Sequence, residues 1–587
     1  MKNAGVKLKP NDYVHLHNHT QYSLLDGLTK VPALIDRVKK LGMEAVAITD
    51  HGTMSGVIEF YKAAKSEGVK PIIGMEAYIA PRSLKDKDPA KDRQYFHITL
   101  IAKNITGYKN LMRLSTIANL EGFYYRPRID RELLKKYSDG LIVLSGCIGG
   151  EVGEALRQGQ YDQAKKSAQW YKSIFGSDYY IELMDHGHPG HPTAWKEQTK
   201  ANEQLLKISQ ELNIPAVITC DAHYLMHEDQ EAHEILLCVQ TGAFLSDEQR
   251  FSLKEFELHV ADPKDIIKRW GSDHPELILN TKKIAEQCDL EIELGKILIP
   301  KFPTPKSETE KDFLELIVWQ GLAWRYAGVP RLKLGALTVK KAQAMLSKQI
   351  IERARFELGV VSSMGFNGYF LIVQDFINWG KDNGIVFGPG RGSAASSILA
   401  YALRITELDP LEYDLLFERF LNPDRISMPD MDIDIQDSRR DEVIEYCINK
   451  YGRDQVANIV TFGRMAARNS VRDVARVLQV PYADADRLAK MIPPPVQGRH
   501  IPLAKSLKEN QELAQENATN EQSARVFDLA TKLEGTIRSH GVHAAGVVIA
   551  PDELVNYAPL ELAQKGVIAT QYSMGPIEDL GLINLPL

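Results

Sequence analysis

The chain has 587 residues, 71 Lys and Arg against 77 Asp and Glu, and a formal charge of −6. With 44% hydrophobic and 25% charged residues it excludes a fibrous or largely disordered polypeptide, and at a prior of ~150 residues per domain it predicts about three to four domains. No run reaches the ~18 uncharged apolar residues of a membrane span, and the polar first dozen residues hold no apolar signal core. Five scattered cysteines form no disulfide framework, which predicts a reducing, cytoplasmic setting. The net negative charge confines any nucleic-acid surface to a local patch.

From residue 12 to about 285, short apolar runs alternate with amphipathic stretches. Val14–Leu16, Ala45–Thr49, Pro71–Glu76, His97–Ala102, Leu141–Ser145, Tyr179–Leu183 and Ala216–Cys220 read as strands. Val31–Leu41 and Val57–Glu67 read as helices. This alternation predicts parallel βα units and a barrel. A Pro- and Lys-rich linker spans 291–311. Helices, a Gly-rich loop and an acidic strand follow to 463, then a mostly helical stretch to about 540, then short strands from 542.

Chemistry gathers at the predicted strand ends. In Tyr13-Val-His-Leu-His-Asn-His-Thr20, alternation puts His15, His17 and His19 on one face. Asp26 follows. The next strands supply Thr49-Asp50-His51-Gly52, Gly74-Met75-Glu76, His97, Ser145-Gly146-Cys147 and Cys220-Asp221-Ala222-His223. Any one of these residues alone is an ordinary core or surface group; the recurrence carries the reading. Mixed N, O and S donors suit Zn²⁺, Mn²⁺ or Fe²⁺ better than Mg²⁺, and several close ions would serve phosphoester hydrolysis. The HxH, TDHG, GxE and DxH pattern resembles the polymerase-and-histidinol-phosphatase (PHP) domain. The resemblance implies a nine-donor metal set of His17, His19, Asp26, His51, Glu76, His97, Cys147, Asp221 and His223, binding up to three Zn²⁺ or Mn²⁺ ions. It also implies a 3′–5′ exonuclease that proofreads DNA.

A second constellation begins at Gly388-Pro-Gly-Arg-Gly-Ser393, before an expected helix at Ala394–Leu403. Backbone N–H groups of such a loop favour phosphate, and Arg391 adds a forked cation. In Pro429-Asp-Met-Asp-Ile-Asp-Ile435, alternation puts Asp430, Asp432 and Asp434 on one face and Met431, Ile433 and Ile435 toward a core. Two Mg²⁺ ions would offset the crowded carboxylates and align a 3′-hydroxyl with a nucleoside triphosphate; a solvent-facing acidic edge strand is the plain alternative. Together with LLFERFLNPDRISMPDMDIDI, YGRDQVANIVTFGRMAARNSVRDVARVL and HGVHAAGVVIAP, these segments resemble the bacterial replicative DNA polymerase III alpha family. Its palm is a polymerase-beta-like nucleotidyltransferase. The resemblance implies Asp432 and Asp434 as catalytic residues. It implies Gly392, Ser393, Arg391 and Arg425 as triphosphate contacts, and primer–template DNA and dNTP as partners. Sliding clamp and clamp loader would join in the full-length protein.

Arg464, Arg468, Arg472 and Arg476 recur every fourth residue, a helical stripe suited to a phosphate backbone or a solvated charged face. In the family this opens the DNA-gripping thumb.

The expected architecture is α/β: a distorted (βα) barrel of PHP type (1–285), a palm (286–463 and 542–587) and a helical thumb (464–541). The family places a third aspartate on the last strand, where Pro586 stands here, and its fingers and C-terminal domains lie outside this sequence. The chain is therefore expected to extend primers poorly or not at all. The alternatives are a stand-alone metallophosphoesterase of small phosphate monoesters and a non-catalytic DNA-binding remnant.

Overall fold

Seven strands of the N-terminal region make one sheet in the computed structural model, which describes residues 7–186, 192–305, 308–422, 429, 431–495, 499–563 and 566–586. They are β1 (Ala45–Ile48), β2 (Lys70–Ile79), β3 (Phe96–Ala102), β4 (Arg128–Ile129), β5 (Leu141–Leu144), β6 (Tyr179–Met184) and β7 (Ala216–Thr219). The order is β1-β2-β3-β5-β6-β7, with β4 on β2. Every residue of β1, β5, β6 and β7 is buried, as continuous apolar strands covered on both faces require. The flanking helices are amphipathic. Helix Val31–Lys40 buries Val31, Leu34, Ile35 and Val38 as one stripe and ends in Arg37, Lys39 and Lys40, whose charge suits a helix C-terminus.

Two features depart from a simple parallel barrel. β3 runs antiparallel to both β2 and β5, because no helix separates β2 from β3 and the chain returns without a crossover. The Tyr13–Thr20 segment is not a regular strand. Its backbone instead bridges the two sheet edges: His15 pairs parallel with Val46, and Asn18 parallel with Ala222, just past β7. Ala47 N donates to His15 O at 2.9 Å and His19 N to Ala222 O at 2.7 Å. The histidine-bearing segment thus closes the sheet into a distorted barrel.

The chain forms two compact units: residues 1–292, 460–541 and 559–573, and residues 293–459, 542–558 and 574–587. In the first unit, Val471 and Val474 of helix Ala467–Val477 and Phe527 and Ala530 of helix Glu521–Leu533 share a core with Ile235 and Leu236 of helix Gln230–Thr241. Two strands, β8 (Val456–Arg464) and β9 (Ile537–Ile549), have residues in both units. β10 (Leu560–Leu562) pairs antiparallel with β11 (Ile568–Ser573) in the first unit, and β12 (Ile583–Pro586) with the end of β9 in the second.

The second unit is built on helices Glu310–Ala327, Lys348–Ser363 and Asn367–Asp382, whose buried Trp319, Val361, Phe370 and Phe376 belong to one core. The single helix expected over Ala394–Leu403 is broken into a 3₁₀ turn, Gly392–Ser396, and a short α-helix, Ile398–Ala402. Ser397 separates them, since its side chain accepts from Ala400 N and competes with a continuous helix. The acidic segment is not a ladder strand; a bridge joins Ile435 to Phe387. Its alternation nevertheless holds, with Met431 buried and Ile433 and Ile435 packed on the same core. Among the described residues, no single helix is long and apolar enough to cross a membrane.

Candidate functional site

The barrel closure brings all nine N-terminal donors together. His17 Nε2 lies 3.2 Å from Asp221 Oδ1 and 3.4 Å from Glu76 Oε1. His19 Nε2 lies 3.1 Å from Asp221 Oδ1. His51 stands 2.6 Å from Glu76 Oε2 and 3.2 Å from Asp26 Oδ2. His97 Nδ1 is 2.9 Å from Glu76 Oε1 and 3.6 Å from Cys147 Sγ, and His223 Nε2 is 3.8 Å from Asp26 Oδ1. His15 stands apart, its Nε2 within 3.0 Å of the Ala261 carbonyl.

His51, Cys147 and Asp221 follow the ends of β1, β5 and β7, whereas Glu76 and His97 lie within the paired strands β2 and β3. Gly52 (φ +60°) turns the chain directly after His51; a Cβ there would meet Tyr78 and Pro127 at 2.9 Å. Asp50 is buried and orders the loop that carries Asp26, accepting from Thr20 N at 2.6 Å, Thr20 Oγ1 at 2.8 Å and Ser23 Oγ at 2.8 Å.

Burial opposes protonation of His17, yet Asp221, Glu182 and Glu76 outweigh it and hold its pKa well above the ordinary imidazole range. Burial with His51 and His223 drives His19 down to about 3. Glu76, despite its burial, is held well below the usual carboxylate range by His97, His51 and His17. Burial pushes the Cys147 thiol up, and Glu76 and Asp221 add to it.

A metal fits this donor set. His17 Nε2, His19 Nε2, His51 Nδ1, Glu76 Oε2, Asp26 Oδ1 and Asp221 Oδ1 are buried without a hydrogen-bond partner. Buried polar atoms left so are costly unless something else engages them. Three triads, His19–His51–His223, His17–His19–Asp221 and His51–Glu76–His97, each keep their ligand atoms within 4.8 Å of one another.

Two residues of this site escape sequence reading. Glu182 on β6 is fully buried and lies 2.8 Å from His17 Nδ1, while its carboxylate also accepts from Gly146 N at 3.0 Å and Thr219 Oγ1 at 2.7 Å. It orients the His17 ring so that Nε2 faces the cluster. A lone carboxylate inside the apolar run Tyr179–Met184 is the signal that identifies it. His233 Nε2 is buried 3.7 Å from Asp26 Oδ1, on a helix whose pattern gives no sign of it.

In the second unit the Gly-rich loop lies against the acidic segment. Gly388 N donates to Asp434 O at 2.9 Å, and Arg391 Nε is 3.4 Å from Asp434 Oδ1. Gly392 (φ +69°) is so close that a Cβ would lie 3.2 Å from Asp432 Oδ2. Asp434 and Arg391 are exposed. Ser393 lies in the following turn, its carbonyl accepting from Ser396 Oγ at 2.6 Å. Buried Glu357, unseen in the sequence, holds that turn: it accepts from Arg353 Nε at 2.6 Å, Ser397 Oγ at 2.7 Å and Ile398 N at 3.1 Å. Arg425 and Asp430 lie outside the described residues.

The arginine stripe is corrected. Arg464 ends β8 and is not on the helix with Arg468, Arg472 and Arg476. All four have protein partners: Arg464 the Gly535 carbonyl, Arg468 the Ile492 carbonyl (2.6 Å), Arg472 the Asp486 carboxylate (2.9 Å) and Arg476 the Gly242 carbonyl. Spacing alone could not reveal these acceptors, which come from distant parts of the chain.

Residues 15–186 match the PHP domain family model, and residues 312–586 match the bacterial DNA polymerase III alpha NTPase domain. A DNA polymerase III subunit alpha from Borreliella burgdorferi is 44% identical over 98% of this chain and 48% of that protein. The Thermus aquaticus protein of that name is 42% identical over 99% of this chain and 50% of its own length. The Aquifex aeolicus one is also 42% identical, over 98% and 51%. The chain spans about half the length of the curated relatives it matches. With a PHP domain followed by that polymerase domain, and with its similarity running along nearly its whole length, the chain belongs to the bacterial DNA polymerase III alpha family.

Proposed function

We propose that this chain is the PHP, palm and thumb portion of a DNA-directed DNA polymerase of the polymerase III alpha type, with a metal-dependent 3′–5′ exonuclease in its N-terminal barrel. The functional partition is a barrel over 1–285, a palm over 286–463 and 542–587, and a thumb over 464–541. The observation that carries the hydrolytic part is the convergence of nine donors, six of whose buried ligand atoms face one another without a well-formed hydrogen bond. Divalent cations held there, Zn²⁺ or Mn²⁺, supply Lewis-acid polarisation of a phosphodiester. The chain's own groups hold the site in shape: Glu182 fixes the His17 tautomer and ring, and Asp50 fixes the loop of Asp26.

For nucleotidyl transfer, Asp432 and Asp434 are the groups to hold Mg²⁺, and the Gly388–Ser393 loop with Arg391 and Arg425 receives the dNTP triphosphate. The loop's approach to both aspartates supports this reading. Arg464, Arg468, Arg472 and Arg476 have their polar ends engaged by the protein, so primer–template gripping by them rests on the family pattern. Sliding clamp and clamp loader are partners of the full-length protein, and the setting is the cytoplasm.

Metal analysis of the purified chain, followed by incubation with 5′-labelled single-stranded and 3′-mismatched DNA, tests the hydrolytic reading. Bound Zn²⁺ or Mn²⁺ and stepwise loss of 3′ nucleotides are expected. A chain that binds no transition metal overturns it.

A further inference from the structure

Beside the donor cluster, within the first unit, opens a half-open cleft of about 180 Å³, room for one end of a longer ligand rather than for an enclosed small molecule. Asp26 and His51 lie in it. Phe123, Arg126 and Pro127 line it, as do Tyr22, Phe462 and Ile537, with His540 and Glu561 paired at 2.9 Å. Part of the lining therefore comes from residues far beyond the 15–186 stretch matched by the PHP model.

The loop with Phe123 and Arg126 is unusual. Phe123 is 52% and Tyr125 57% exposed, a cost in water for two aromatics separated by one residue. Tyr125 adopts φ +60°, which costs a non-glycine residue about 1 kcal/mol and persists only where the surroundings impose it. Arg128 ties the base of this loop to its surroundings. It is fully buried and donates to the carbonyls of Gly122 (3.3 Å), Leu84 (3.2 Å), Asp86 (2.9 Å) and Asp92 (3.0 Å), with the Tyr124 ring 5.1 Å from its guanidinium. Tyr124 N also donates to Arg126 O at 3.0 Å. A buried arginine therefore holds the base of an aromatic loop that carries one strained residue, with Phe123 lining the cleft. Arg126 rests against the Tyr78 ring at 5.8 Å and its guanidinium also meets the Tyr95 hydroxyl, while the residue as a whole stays exposed at the cleft.

We propose that this loop is a binding subsite for an unpaired DNA 3′ end, Phe123 stacking on a terminal base and Arg126 holding the adjacent phosphate as the strand enters toward Asp26 and His51. The inference rests on the hydrolytic reading for its direction but not for its test. Stacking on a rigid aromatic tolerates every base, because every base has a π face. It also discriminates against a paired end, whose terminal base is already stacked on its neighbour. A rigid platform loses little entropy on binding.

The test is equilibrium anisotropy of a 5′-fluorescein dT12 oligonucleotide whose 3′-terminal linkages are phosphorothioate, on the full chain with its metal content measured in each variant. Phe123→Ala is expected to weaken binding roughly 5- to 100-fold, Phe123→Trp to restore it, and Arg126→Ala to lower the salt slope by about 0.7. Wild type should favour the intact oligonucleotide over one with a 3′-terminal abasic site, and Phe123→Ala should lose that preference. Metal content should be unchanged throughout. Wild-type-like binding by Phe123→Ala, equal binding of the abasic oligonucleotide, or equally strong binding of free dTMP overturns the proposal. If wild type hydrolyses DNA and Phe123→Ala leaves KM unchanged, the subsite is wrong and the hydrolytic reading stands. If wild type hydrolyses nothing but the binding differences hold, the subsite stands and the hydrolytic reading fails.

Discussion

The nine-donor cluster of the first unit and the Asp432–Asp434 motif of the second both gather carboxylates, and they do so in opposite ways. In the barrel, Glu76 is fully buried, ringed by imidazoles and backed by a further layer: Glu182 on His17, and Asp50 on the loop of Asp26. In the acidic motif, Asp434 is exposed and pairs, among the described residues, with an exposed Arg391 at 3.4 Å. What is tightly built there lies behind the motif, where Glu357 and Arg353 clamp the turn after the Gly-rich loop. A buried site needs its geometry written into the fold, because unpaired charge in low dielectric is costly. An exposed one is solvated until its substrate completes it.

The contrast can be broken most severely at His17. His17→Ala should remove transition metal and lower 3′-end hydrolysis by roughly a thousandfold or more, since the ring lies within 3.4 Å of two other donors. The double change Asp432→Asn, Asp434→Asn should leave both unchanged while abolishing Mg²⁺-dependent dNTP binding. Metal analysis and calorimetry on the two variants decide it; loss of hydrolysis in the aspartate variant would merge two sites into one.

Acid should separate the units next. Burial drives the pKa of His186 and His259 down to about 4, and both lie in the first unit. Between pH 6.5 and 4 the unfolded chain binds protons that these residues refuse when folded, so stability falls as pH drops through that window. The loss reaches about 3 kcal/mol for fully buried His186. Hydrogen exchange should show the first unit opening before the second; simultaneous opening would contradict the contrast.

A smaller effect belongs to the layer behind the donors. Glu182→Gln should weaken metal binding about 10- to 100-fold, measured by chelator competition, with the fold retained. An unchanged affinity would reduce Glu182 to a packing role. Least of all, Gly392→Ala should destabilise the second unit by about 1 kcal/mol because of its positive φ. It should also weaken Mg²⁺-dependent dNTP binding by crowding Asp432. A melting temperature matching wild type would show that the exposed loop is looser than its hydrogen bonds suggest.

Much of this was legible in the residues. Apolar runs such as Leu141–Leu144 and Ala216–Thr219 announce buried strands, and the stripe in Val31–Lys40 announces its helix. Local alternation also places Met431, Ile433 and Ile435 on the core side correctly. What pattern could not supply was direction and partnership. The reversal of β3 follows from a missing crossover helix, the break at Ser397 from a side chain that captures the Ala400 N–H, the loss of Arg464 from the arginine stripe from its place at the end of β8, and the engagement of the other three from acceptors such as Ile492 O and Gly242 O.

By itself, the order of residues determined which groups are available for chemistry and which local backbone carries them, because periodicity and side-chain type act over a few residues. Only the tertiary structure decided that His17, Glu76, Cys147 and Asp221, separated by scores of residues, share one pocket, and that Glu182 and Arg128 stand behind the working side chains. Those arrangements depend on closing a sheet through its first segment and on burying charge among distant partners, and no short stretch of chain encodes either one.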